Sequence, residues 1–174
     1  MTFLKRWWKI LVSLVVVLAV DLITKHFLFD IDYFNLIPGV ISIMSNGGNT
    51  GAAFGIMSGQ TITLIIVSIL MIIALFIFNH FVKNRNTVYS IAFGFIIGGA
   101  LGNLYDRIIL GYVRDFIYLD FMPFFPVFNF ADTFLCLGAI IMAIYLLFLS
   151  NKEKPKNNKT DRSDNNESKS LVFS

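Results

Sequence analysis

The chain has 174 residues, of which 56% are hydrophobic and only 14% charged, against about 25% charged in an ordinary soluble domain. Together with a mean hydropathy of +0.73, this excludes a soluble globular protein and leaves a membrane protein with room for one small bundle. The pI near 9.0 does not point to nucleic acid, because the basic residues flank apolar runs, and a single cysteine, Cys136, excludes an internal disulfide.

Residues 1–9 form a basic flank containing Trp7 and Trp8. The apolar run from Ile10 to about Phe29 is long enough for a span, which needs about 20 residues. It reads as a retained helix, since no A-x-A-like cleavage site follows, and Cys136 lies too far from the N-terminus to mark a lipoprotein precursor. Residues 30–60 break the pattern with Pro38, Gly39 and a run of Asn and Gly. Their β-branched, apolar part from Phe34 to Met44 is bounded by turn residues and predicts short strands. A second span runs from about Ile62 to Val82 and a third from about Val88 to Ile108, joined by the polar loop 83–86. Residues 109–129 form a second irregular segment, aromatic and punctuated by Gly111, Pro123 and Pro126. The fourth span runs from about Phe130 to Leu149. Residues 151–174 form a polar, basic tail with too few apolar residues to fold.

The expected fold class is therefore an α-helical membrane protein: a four-span unit over 1–150 followed by a disordered tail. Lys5, Arg6, Lys9, Lys83, Arg85 and all the tail cations fall on one side of such a bundle. Lys25, Arg107 and Arg114 alone fall on the other. The excess of positive charge predicts cytoplasmic termini, with segments 30–60 and 109–129 on the outer face.

Against so apolar a background, ionisable residues beside the spans are costly and become functional candidates. Asp115 follows the third span and Asp132 opens the fourth, with a loop that doubles back between them. Two carboxyls held close cannot both ionise, which suits acid–base work. A structural reading stands beside this one. Asn129 could cap the fourth helix with Asp132 in its first turn, where a negative charge offsets the dipole, and Asp115 could be an interfacial loop residue. Asp21 and Lys25 lie four apart on one helix face and suit either an ion pair or a site. Asn49 sits in a Gly-flanked turn that could equally present an extended edge to a peptide. Gly94, Gly98 and Gly102 repeat every four residues, with Gly99 and Ala100 beside them, and predict close helix packing. Asn103 and Arg107 share the Gly99 face. Asp106 reads as a neighbour of Arg107 at the interface, and Cys136 as a small packing residue.

Other chemistries find little support. His26 and His80 lie near opposite faces, so zinc hydrolysis is not indicated, and Ser58 has no histidine placed to activate it. A transporter or channel would need polar groups through the full depth, whereas the second span is apolar except for Ser68 and Asn79.

Taken in order, these pieces resemble the lipoprotein signal peptidase (signal peptidase II) family over roughly residues 8–150. Asp21-x-x-Thr24-Lys25, Asn49-x-Gly51-x-Ala53-Phe54, Gly99-Ala100-Leu101-Gly102-Asn103-x-x-Asp106-Arg107, Val113-x-Asp115-Phe116 and Phe128-Asn129-x-Ala131-Asp132 match its motifs. Two departures are Arg114, where the family commonly has an apolar residue and whose cation could either approach Asp115 or point to the headgroups, and Phe125, where the family often has Trp. The resemblance implies four transmembrane helices, an extracytoplasmic β-cradle and a short helix. It implies an aspartic endopeptidase that removes the signal peptide from prolipoproteins just before a diacylglyceryl-modified cysteine and is inhibited by globomycin. Asp115 and Asp132 would be catalytic. Asp21, Lys25, Asn49, Gly51, Asn103, Arg107, Asn129 and Ala131 would support the site. No metal or cofactor is expected, and the partners would be lipidated prolipoproteins and the bilayer of a bacterial cell membrane. The protein would act as a monomer.

Overall fold

The computed structural model describes residues 3–45, 47–82 and 85–149; the polar tail expected at 151–174 lies outside the described residues. Four helices carry the chain: α1 (Phe3–Leu28), α2 (Thr61–Phe81), α3 (Thr87–Leu110) and α4 (Phe130–Ile144), the last continued by a wider turn over Tyr145–Leu149. All four are long and apolar enough to cross a membrane. The flank ahead of Ile10 extends α1, since nothing in it interrupts the helix.

Local chemistry sets the helix ends. The Asn86 side chain accepts the Tyr89 N–H at 2.9 Å and starts α3. Gly111, at φ +83°, returns its N–H to the Arg107 carbonyl and ends it; a left-handed terminator of this kind favours glycine. At the opposite end of the bundle from Gly111, the Tyr89 hydroxyl donates to Asn79 Oδ1 at 3.0 Å and ties α2 to α3. The Arg85 guanidinium there lies 5.3 Å from the centre of the Trp7 ring.

Helix α3 is the centre of the bundle, packed on α1 along one side and on α4 along the other. The glycine stripe makes this possible. Gly94 and Gly98 face α1, where an added Cβ would sit 2.8 Å from the Ile10 carbonyl oxygen and 2.8 Å from Val17 Cβ. Gly99 faces α4 and would drive a Cβ into the Ala131 carbonyl. Gly138 of α4 returns the arrangement, with the Ala92 carbonyl 2.8 Å from its would-be Cβ. Helix α2 is peripheral, burying only Leu64 and Asn79 among its residues.

The two outer segments share one small antiparallel sheet in the order β1 (Phe34–Ile37), β2 (Ile41–Ile43), β3 (Ile117–Leu119). The first two strands fall within the stretch expected to supply them. The third comes from 109–129, which the sequence presents only as irregular. It pairs Ile117 with Ile43, and these two residues and Phe116 form a small buried core packed by Leu28, Ile31 and Phe130. Where a short outer helix was expected, the described residues hold a single tight turn, Ala53–Gly55, with Phe54 in the left-handed region at φ +58°.

Replacing Gly99 with alanine should push α4 off α3. We expect a loss of about 1–3 kcal/mol, the usual cost of overpacking, read as a lower thermal midpoint in detergent. An unchanged midpoint would mean that the contact between these helices yields freely.

Candidate active site

Asp132 lies in the first turn of α4, and its capping role is real. The Asn129 side chain accepts the Asp132 N–H at 3.0 Å while Asp132 Oδ2 accepts the Asn129 N–H at 3.2 Å, a reciprocal capping box. That leaves Oδ1 for other work. Asp115 is carried by the chain just past α3. Val113 exchanges two backbone hydrogen bonds with Asn49, each 2.8 Å. Asp115, two residues on, is buried beside the Asn49 side chain, and Arg114 between them takes the opposite direction.

Three asparagines donate to the carboxylates, and the orientation of each amide is forced. Asn49 Oδ1 accepts the Gly51 N–H at 2.9 Å, so its amino group donates to Asp115 Oδ2 at 2.9 Å. Asn129 Oδ1 is occupied by the Asp132 N–H, so its amino group donates to Asp115 Oδ1 at 2.6 Å. Asn103 Oδ1 accepts from the Lys25 ammonium at 3.0 Å, so its amino group donates to Asp132 Oδ1 at 2.7 Å. Asn129 also donates to Asn103 Oδ1 at 3.0 Å. The result is a continuous path from Asp115 through Asn129 and Asn103 to Asp132.

Behind this path lies a buried ion cluster. Lys25, 1% exposed, reaches Asp21 Oδ2 at 2.8 Å and Asp106 Oδ2 at 3.3 Å. Asp21 Oδ1 accepts the Ala131 N–H at 2.9 Å and so fastens the start of α4 to α1. Arg107 donates to the Gly51 carbonyl at 3.0 Å, holding the 49–51 turn against α3.

In front lies an open cavity of about 530 Å³, largely apolar, with Asp115, Asp132, Asn49, Asn103 and Arg107 grouped in its wall. Burial and then the Asp132 charge push the Asp115 carboxyl up to about 7, against the pull of its hydrogen bonds from Asn49 and Asn129. Two carboxyls lining one cavity, with one poised to hold a proton near neutrality, can activate a water and polarise a carbonyl. Among the described residues no group of three or more His, Cys, Asp or Glu is arranged to hold a metal.

Asp115, Asp132 and the eight residues expected to support them thus fall in or directly behind one site. Three readings change. Cys136 is exposed on the cavity wall and does not fill a helix contact, because α4 turns this face away from α3. Asp106 is fully buried against Lys25 and Arg114. Continuing the every-four-residue stripe of Gly94, Gly98 and Gly102 by one step gives Asp106, and that signal places it facing α1. Arg114 neither approaches Asp115 nor turns outward: its Nη2 lies 2.7 Å from Asp106 Oδ1.

The family described as Signal peptidase (SPase) II matches residues 13–148. The chain belongs to this family. It is a peptidase, and its four spans and bacterial relatives make it a multi-pass bacterial membrane protein. The lipoprotein signal peptidase of Lactobacillus johnsonii is 35% identical over 154 residues, 86% of this chain and 97% of that one. Its Staphylococcus aureus counterpart is 38% identical over 155 residues, 85% and 93% of the two chains. A bacterial membrane enzyme solved by the in meso method at 2.3 Å superposes with a TM-score of 0.73 at 35% identity, over 86% of this chain and 94% of that one.

The raised Asp115 value has a consequence for stability. Its carboxyl binds more protons folded than unfolded between the ordinary value of 3.8 and about 7, so this group makes the fold less stable as pH rises through that window. The thermal midpoint in detergent should decline between about pH 4 and pH 8, and Asp115→Asn, which does not titrate, should flatten the decline. An identical slope in both proteins would contradict the shift.

Proposed function

We propose that this peptidase is an aspartic endopeptidase that removes the signal peptide from diacylglyceryl-modified prolipoproteins, cleaving just before the lipidated cysteine, with Asp115 and Asp132 as the catalytic pair. The observation that carries the reading is the placement of both carboxylates on one cavity, joined by the Asn129–Asn103 path.

In this mechanism the pair shares one proton. The ionised carboxylate takes a proton from a water between the two, and the water oxygen attacks the scissile carbonyl. The protonated carboxyl donates to the carbonyl oxygen, and the tetrahedral intermediate then collapses. The C–N bond breaks as the departing nitrogen takes the proton that the first carboxylate had removed from water. The intermediate's hydroxyl returns its proton to the other carboxylate as the carbonyl re-forms, leaving the lipidated product with a free amino terminus and the pair again sharing one proton. The pair titrates as a unit, and of its three protonation states only the singly protonated one serves both roles. Asn49 and Asn129 hold Asp115; Asn103 holds Asp132. Asp21, Lys25 and Ala131 seat the start of α4, and Arg107 with Gly51 holds the turn that walls the cavity.

The apolar wall running along α4 past Leu137 to Ile140 suits a lipidated substrate arriving from the bilayer. The positive-inside distribution supports cytoplasmic termini and a site near the outer face. Inhibition by globomycin and action as a monomer belong to the same proposal.

Asp115→Asn and Asp132→Asn, made separately, should each lower cleavage of a lipidated precursor in detergent by roughly 10³-fold or more, removing an acid–base partner, while the proteins stay folded. Full turnover by either variant would refute the assignment.

A further inference from the structure

One charged side chain beside the dyad has no part in the chemistry above. Arg114 immediately precedes Asp115, yet it turns from the cavity into the ion cluster. Its Nη2 lies 2.7 Å from Asp106 Oδ1, its Nε 3.3 Å from both Asp106 oxygens, and its backbone N–H 3.0 Å from Oδ2. Its own carbonyl lies 3.4 Å from the Asn129 amino group. The Arg114 backbone is therefore held at its N–H by Asp106 of the cluster and at its carbonyl by Asn129.

Charge balance gives this contact its importance. Asp21, Asp106 and Lys25 are all buried. Without Arg114, two buried carboxylates would share one ammonium, and an uncompensated buried charge is strongly unfavourable. The three Lys25 donors reach Asp21 at 2.8 Å, Asn103 at 3.0 Å and Asp106 at 3.3 Å. The longest contact goes to the carboxylate that Arg114 already neutralises. Removing that neutralisation would draw Lys25 toward Asp106 and away from Asn103, leaving the Asn129 amide as the one remaining donor to hold the Asn103 oxygen and so its amino group on Asp132.

We propose that Arg114 is a positioning residue for the dyad: its guanidinium balances Asp106 so that Lys25 stays on Asn103. The proposal rests on Asp115 and Asp132 being the catalytic pair.

The charged groups facing that pair are Lys25 and, behind it, Asp21 from α1, Asp106 and Arg107 from α3, and Arg114 itself. Tyr105 faces Arg114, and the 30–60 segment contributes the uncharged Asn49. Arg114→Met makes this set one unit more negative and Asp106→Asn one unit more positive; the double variant restores the balance.

The test measures kcat and KM for a lipidated precursor against pH, with thermal midpoints, for Arg114→Met, Arg114→Lys, Asp106→Asn and the double variant. Arg114→Met should lose kcat roughly tenfold through misplacement and leave KM within about twofold. Its acid limb should move up by about half a pH unit, since added negative charge disfavours ionisation. Asp106→Asn should move that limb down, the double variant should return it to the parent position, and Arg114→Lys should retain most of the activity. A parent-like kcat and limb in Arg114→Met would overturn the proposal. So would activity falling only in step with the midpoint while the limb stays still. Should Arg114→Met not fold, an unmoved limb in Asp106→Asn overturns it equally. Turnover surviving in Asp115→Asn or Asp132→Asn would instead remove the catalytic assignment itself, and the proposal with it.

Discussion

A lysine ammonium has only donors, and the site depends on that fact. Lys25 is fully buried and presents N–H groups to Asp21, Asn103 and Asp106. Asn103 must turn its oxygen toward the ammonium and its amino group toward Asp132. The same logic applies at Asn129 and Asn49, where backbone N–H groups occupy the amide oxygens and leave the amino groups for Asp115. A chain of neutral amides in a low-dielectric interior would otherwise have two orientations apiece. Fixed donors remove that freedom and supply hydrogen bonds to both carboxylates before any substrate arrives.

The bundle exists to bring those groups within reach of each other. Gly94 and Gly98 let α1 approach α3, Gly102 leaves space for the Asp21 carboxylate, and Gly99 admits the start of α4. Lys25, Asn103 and Asp132 come from three different helices, and their hydrogen bonds of 2.7–3.0 Å tolerate no extra methyl group between the backbones. Packing in the apolar half of the bundle and chemistry at its outer rim are therefore one requirement.

Much of this was legible in the sequence. Apolar runs of the right length gave four spans, the spaced glycines gave close helix packing, and the ordered motifs gave candidate residues that the fold gathers around one cavity. What stayed hidden has physical reasons. Strand β3 is three residues long, too short for an alternating pattern to stand out in an aromatic segment, and it forms against the edge that β2 offers. The direction of Arg114 depends on where α3 carries Asp106, which adjacency along the chain does not reveal. Cys136 stands in a helix apolar on all sides, so periodicity does not separate the face toward α3 from the face toward the cavity.

The sheet that joins the two outer segments also bears on how the protein is made. Asn49 and β2 belong to the connection between α1 and α2, whereas Val113, Asp115 and β3 belong to the connection between α3 and α4. Pairings this distant along the chain close late, and Asp132 arrives only with the last helix. A nascent chain with three helices in place has β1 and β2 but lacks Asp132, so on the proposed assignment of the pair its hydrolytic competence waits for the last helix.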